Sequence, residues 1–138
     1  MSSLKILVLS DLHLEFGGLV LSQGDADVVV LAGDIWTGAR GVAWVRESTL
    51  TCPVVYVAGN HEAYGHCFPK HLDKLREAAA NSRVHFLEND SVVLNDVTFH
   101  GCTLWTNFFL HNNPVFDAFK AQERLNDYRH IKVFDRDR

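Results

Sequence analysis

Apolar residues in this chain come in short, dense runs that stop abruptly at polar residues. Leu4 to Ser10 is nearly continuous, Asp27 to Ala32 repeats the pattern through Val28, Val29, Val30 and Leu31, and Pro53 to Ala58 does so again. Runs of this length and density predict strands covered on both faces, as in a parallel sheet. Gly41 to Leu50 carries Val42, Trp44 and Val45 and reads as a short helix. From Pro69 to Asn81 the pattern is helical, with Leu72, Leu75 and Ala79 on one face and a proline where a helix start tolerates it. Val84 to Leu87 predicts a short strand. Ser91 to Leu94 and Val97 to His100 flank Asn95-Asp96, a pair suited to a tight hairpin turn. Thr103 to Thr106 could extend that hairpin, Pro114 to Leu125 predicts a further helix, and His130 to Phe134 the start of a strand.

Strands alternating with helices define an α/β fold with a mainly parallel sheet early in the chain and antiparallel strands later. The connection from Asp11 to Asp34 is poor in helix signal, so an irregular first crossover is expected. No repeat or linker divides the chain, and 138 residues make one domain's worth of sequence.

Composition narrows the possibilities. A net charge of −4 with scattered Lys and Arg argues against a nucleic-acid binder, although a nuclease is not ruled out on this ground. The one dense charge run, Asp135 to Arg138, alternates in sign and reads as a solvated end. No stretch approaches the ~20 apolar residues that cross a bilayer, and Met1 to Ser10 lacks the core and cleavage site of a secretory signal. Cys52, Cys67 and Cys102 form no metal-type or disulfide spacing, as expected of reduced thiols in a cytoplasmic protein.

The chemistry gathers where the strand runs end. The first ends at Asp11-Leu12-His13, the second at Gly33-Asp34 and the third at Gly59-Asn60-His61-Glu62. In an open parallel sheet all carboxyl ends lie along one edge, where ligands bind. Asp11, His13, Asp34, Asn60 and His61 should therefore converge. Any one of these residues alone could be a turn or cap. Three polar strand ends, two of them with histidine, make a ligand set of carboxylate, amide oxygen and imidazole that suits Mn, Fe or Zn. A metal-free phosphate-binding domain is disfavoured, because Asp11-Leu12-His13 stands where a glycine-rich loop would follow the first strand.

Asp11-x-His13, then Gly33-Asp34, then Gly59-Asn60-His61-Glu62 resembles the calcineurin-like metallophosphoesterase superfamily in order and spacing. Softer likeness continues through Gly101 to Thr106 and Asn126 to Arg129, which look like a bacterial branch. The resemblance implies a β-sandwich flanked by helices and hydrolysis of a phosphomonoester or phosphodiester by a dinuclear metal centre that activates a hydroxide. By that resemblance Asp11 and His13 bind the first metal, Asp34 bridges both, and Asn60 binds the second. His61 assists the leaving group, and Glu62 orients its neighbours. The glycines at 33 and 59 would let the backbone pass close to the metals.

Two departures shape the expectation. Thr37 stands where phosphoprotein phosphatases of the superfamily carry an Asp, which favours a small phosphoester as substrate. The downstream histidines that complete the family's site find no match, since His85, His100, His111 and His130 lie in other contexts. Residues 1–138 therefore read as the N-terminal part of a metallophosphoesterase domain, about half of the fold. Such a half would favour a homodimer that covers its exposed surface. It could retain only one metal, and the alternative is a non-catalytic binding or assembly module with a weak single-metal site.

Overall fold

A computed structural model describes residues 3–110 and 112–133. Its centre is a four-stranded parallel sheet of β1 (Ile6–Leu9), β2 (Val28–Ala32), β3 (Val54–Val57) and β5 (Val84–Phe86), in the order β1-β2-β3-β5. The remaining strands are β4 (Cys67–Phe68), β6 (Asp90–Leu94), β7 (Val97–Gly101) and β8 (Lys132–Val133). Helices α1 (Arg40–Glu47) and α2 (Lys70–Ala79) lie between sheet strands, and α3 (Pro114–Arg124) and the short α4 (Asp127–His130) come later. The fold is α/β. Strands added in chain order, each joined by a right-handed crossover, place both intervening helices on the same face of the sheet.

On that face Val29, Leu31, Val54, Tyr56 and Val84 pack against Val42 and Val45 of α1 and Leu72, Leu75 and Ala79 of α2. The segment between β1 and β2 is irregular, as its sequence predicts, yet it contributes Leu14 and Leu21 to the same core. Its course is held by the Trp44 indole, whose N–H donates to the Leu19 carbonyl at 3.2 Å.

The hairpin of β6 and β7 turns at Asn95 and Asp96, which have φ of 49° and 61°. Both residues are in the left-handed region, as a two-residue primed turn requires. Val92, Leu94 and Phe99 of the hairpin cover Val28, Val55 and Leu87 on the second face of the sheet. The cover is partial. Ile6 and Val8 of β1 are 42 % and 60 % exposed, so the expectation that the first strand is covered on both faces is corrected. Its neighbour on one side is β2, among the described residues it has none on the other, and the hairpin sits over the middle of the sheet.

Thr103 to Thr106 does not extend the hairpin as a strand. Instead Thr103 turns back to the sheet, its hydroxyl donating to the Ala58 carbonyl at 2.8 Å. Of the strand expected from His130 to Phe134, Lys132–Val133 forms β8, which pairs in parallel with β4, whereas His130 ends α4; Phe134 and the charge run Asp135 to Arg138 lie outside the described residues. No helix among the described residues is long and apolar enough to cross a membrane.

His71, at the start of α2, is buried against Phe68, their ring centroids 5.6 Å apart. Burial and the neighbouring His66 push its pKa below the ordinary 6.5, and the Cys67 backbone, Glu88 and Asp73 only partly oppose them. The unfolded chain therefore binds the extra proton first as pH falls, and stability declines with acid below that value. The melting temperature should drop between about pH 7.5 and about pH 5.5, and less steeply in His71→Leu. Equal slopes in thermal denaturation of the two proteins would remove His71 as the cause.

Candidate metal centre

The carboxyl ends of β1, β2 and β3 do form one edge. The ladder between the first two strands continues past both, with Asp11 N–H donating to the Gly33 carbonyl (3.1 Å), His13 N–H to Asp34 (3.0 Å) and Leu14 N–H to Ile35 (2.9 Å). Asp11, His13 and Asp34 have φ of 53°, 46° and 55°. Non-glycine residues rarely occupy this left-handed region, and clusters of them mark sites where the surroundings over-determine the backbone.

At Asp34 the group that fixes the backbone is Glu62. This residue is fully buried at the turn His61–Ala63 that follows β3. One carboxylate oxygen accepts from Asp34 N–H (3.1 Å) and Gly59 N–H (2.8 Å), the other from Ile35 N–H (2.9 Å) and the Tyr56 hydroxyl (2.9 Å). Four donors around two oxygens match the full acceptor capacity of a carboxylate. Burial, then the charge and hydrogen bond of Glu62, hold the Tyr56 phenol well above its usual range. Glu62 thus ties the end of β2 to the end of β3.

The two glycines of these strand ends face each other. A Cβ on Gly33 would lie 3.0 Å from Gly59 N, and one on Gly59 would meet the Asp34 carboxylate and lie 2.7 Å from Asp34 N. The close approach that excludes side chains here is between the strand ends themselves.

Ligand atoms of His13, Asp34 and His61 lie within 4.8 Å of one another. Asp34 Oδ1 also accepts from His61 N–H at 2.9 Å. Asp11 stands at the rim, its side chain 69 % exposed and its Oδ1 4.0 Å from His13 Nε2. On the other side Asn60 donates through Nδ2 to Asp127 (2.6 Å) and to the Tyr64 hydroxyl (3.1 Å). With both amide hydrogens directed there, Oδ1 is the atom of Asn60 left for a cation. Burial, then the Asp127 hydrogen bond and charge, push the Tyr64 phenol up to about 12.

Three groups at this site escaped the sequence reading. Asp127 lies in the Asn126-to-Arg129 stretch, but no spacing rule connects it to Asn60. Tyr64 sits one turn beyond the third strand end. Glu15 follows His13 by two residues and sends Oε1 to within 2.5 Å of His61 Nδ1. Burial pushes the Glu15 carboxyl up. The hydrogen bond from His61, its own backbone and the charges of His61 and His13 outweigh burial and hold it below 4.5.

The residues fit a divalent cation. Imidazole and carboxylate converge in one cluster, and a carboxylate oxygen beside it, Oε2 of Glu15, is buried without a hydrogen-bond partner. A parallel α/β sheet with such a cluster on its carboxyl edge defines a ligand-binding protein whose donors suit borderline and hard metals. The family model described as calcineurin-like phosphoesterase matches residues 4–138, and the chain belongs to that family. No curated protein matches it. The family carries metal-dependent hydrolysis of phosphoesters, and in this chain His13, Asp34 and His61 bring together ligand atoms spaced for a metal ion.

Proposed function

We propose that this chain is a metal-dependent hydrolase of small phosphoesters, acting on monoesters or diesters with two divalent ions, manganese, iron or zinc. The observation that carries the reading is the convergence of His13, Asp34 and His61 at the carboxyl edge of the sheet. Asp11 and His13 would hold one ion, Asn60 Oδ1 the other, and the Asp34 carboxylate both. When bound, the ions would clamp phosphate oxygens and acidify a water. His61 would then hold a proton against the leaving oxygen, a role within reach of imidazole near neutral pH. Glu62 keeps Asp34 and the His61 turn in register and touches neither substrate nor ion.

Free thiols at Cys52, Cys67 and Cys102 support a reducing, cytoplasmic location. The exposed Ile6 and Val8 support self-association through the second face of the sheet, as a homodimer.

One observation favours a second reading. The cluster brings together one carboxylate and two imidazoles, with Asp11 outlying, which suits a single ion in a non-catalytic assembly module. Stoichiometry and turnover separate the two. Calorimetric titration with Mn²⁺ should give two ions per chain, and the loaded protein should hydrolyse p-nitrophenyl phosphate or its bis ester. One ion and no turnover from the folded protein would leave only the assembly module.

A further inference from the structure

Of the groups at this edge, Glu15 has no part in the reading above. Its side chain is 14 % exposed, less than that of His13, and it points at the ring of His61. A carboxylate only accepts hydrogen bonds, so the hydrogen of the 2.5 Å contact lies on His61 Nδ1. The same nitrogen is 3.2 Å from His13 Nδ1, which can accept but gains no hydrogen from it while Glu15 does. Two further contacts restrain His61. Its backbone N–H is fixed on Asp34 Oδ1 at 2.9 Å, and the Tyr64 ring stacks on it at 4.3 Å and 27°. Backbone, ring face and Nδ1 are all engaged, and Nε2 is the remaining functional atom.

We propose that Glu15 is a positioning residue for His61, holding the hydrogen on Nδ1 and so making Nε2 the atom that delivers a proton to the leaving oxygen. This inference rests on the role given to His61 above. In the step it serves, a water oxygen bonds to phosphorus and gives its proton to solvent. The bond from phosphorus to the leaving oxygen breaks, and that oxygen keeps the electron pair and takes the proton from Nε2. His61 ends neutral with its hydrogen still on Nδ1, facing Glu15, and is reprotonated at Nε2 from water. A third group that orients an acid–base histidine is a recurrent arrangement, because the wrong tautomer presents the wrong nitrogen.

Nitrogen spectroscopy tests this without turnover. The full chain, labelled with ¹⁵N-histidine, would be observed metal-free and loaded with diamagnetic Zn²⁺, and the His61 ring signals identified by their loss in His61→Ala. In the wild type and in Glu15→Gln, whose amide oxygen still accepts, the hydrogen should reside on Nδ1. In Glu15→Ala that preference should be lost. A second arm compares phenyl phosphate with p-nitrophenyl phosphate, the better leaving group. Glu15→Ala should slow phenyl phosphate about tenfold more than p-nitrophenyl phosphate, Glu15→Gln should recover part of this, and Glu15→Ala should add no discrimination in a His61→Ala background. An unchanged Nδ1 preference in Glu15→Ala overturns the proposal. So does an equal loss on both substrates where His61→Ala discriminates. If His61→Ala itself does not discriminate, the acid role of His61 fails, and the nitrogen signals still decide whether Glu15 sets its tautomer.

Discussion

Glu62→Gln should melt about 10 °C below the wild type, and Glu62→Ala should be largely unfolded at room temperature. The Glu62 carboxylate is fully buried and accepts from Asp34 N–H, Ile35 N–H, Gly59 N–H and the Tyr56 hydroxyl. An alanine leaves four donors without partners, those of Ile35 and Tyr56 buried and those of Asp34 and Gly59 part-buried, and each buried one costs about 1–3 kcal/mol. Even with water entering to satisfy some of them, the sum is on the order of 5 kcal/mol, comparable with the whole stability of an ordinary domain. Glutamine fits the space but turns an N–H₂ group toward two donors, whichever way its amide is placed, so roughly half the loss remains. Thermal denaturation followed by circular dichroism measures both. A Glu62→Gln protein melting within a degree or two of the wild type would mean that the four hydrogen bonds contribute little net stability.

Asp34→Asn should do the reverse, sparing the fold and removing the chemistry. The amide keeps an oxygen for the His61 N–H, so the bond between the two strand ends survives. What disappears is the negative charge in the cluster with His13 and His61. On the proposed function, Mn²⁺ affinity should fall at least about tenfold and hydrolysis of p-nitrophenyl phosphate on the order of 10³-fold, with the melting temperature almost unchanged. Retention of more than about a tenth of the activity would exclude Asp34 as the shared ligand, since losing a bridging carboxylate disturbs both ions.

Much of this was legible in the sequence because two signals are local. Dense apolar runs such as Val28 to Leu31 mark buried parallel strands. A polar residue at the end of each run must then fall on one edge of the sheet, whatever the connections do. Convergence of His13, Asp34 and His61 follows from that topology alone. The Asn95-Asp96 turn was equally plain, because few residues accept left-handed backbone. Side-chain direction was not legible. Glu15 stands beside one motif and Glu62 within another, yet one points at His61 and the other into the core, and a choice of rotamer leaves no trace in composition or spacing. Asp127 lies far along the chain from Asn60, and its role depends on how β8 docks beside β4. The exposure of Ile6 and Val8 was also hidden, because an edge strand and a central strand can carry the same apolar run.

The partnership of Asn60 and Asp127 has a consequence for the order in which the site is built during synthesis. Asp34 and His61 are 27 residues apart, whereas Asn60 and Asp127 are 67 apart. Synthesis delivers the chain N-terminus first. The histidines and the Asp34 carboxylate can therefore meet while the hairpin is still being made. The bond from Asn60 to Asp127 can form only when Asp127 arrives, after the Tyr64 hydroxyl that Asn60 also meets. On the proposed function, a nascent chain would thus bring His13, Asp34 and His61 together well before the contact between Asn60 and Asp127 is made.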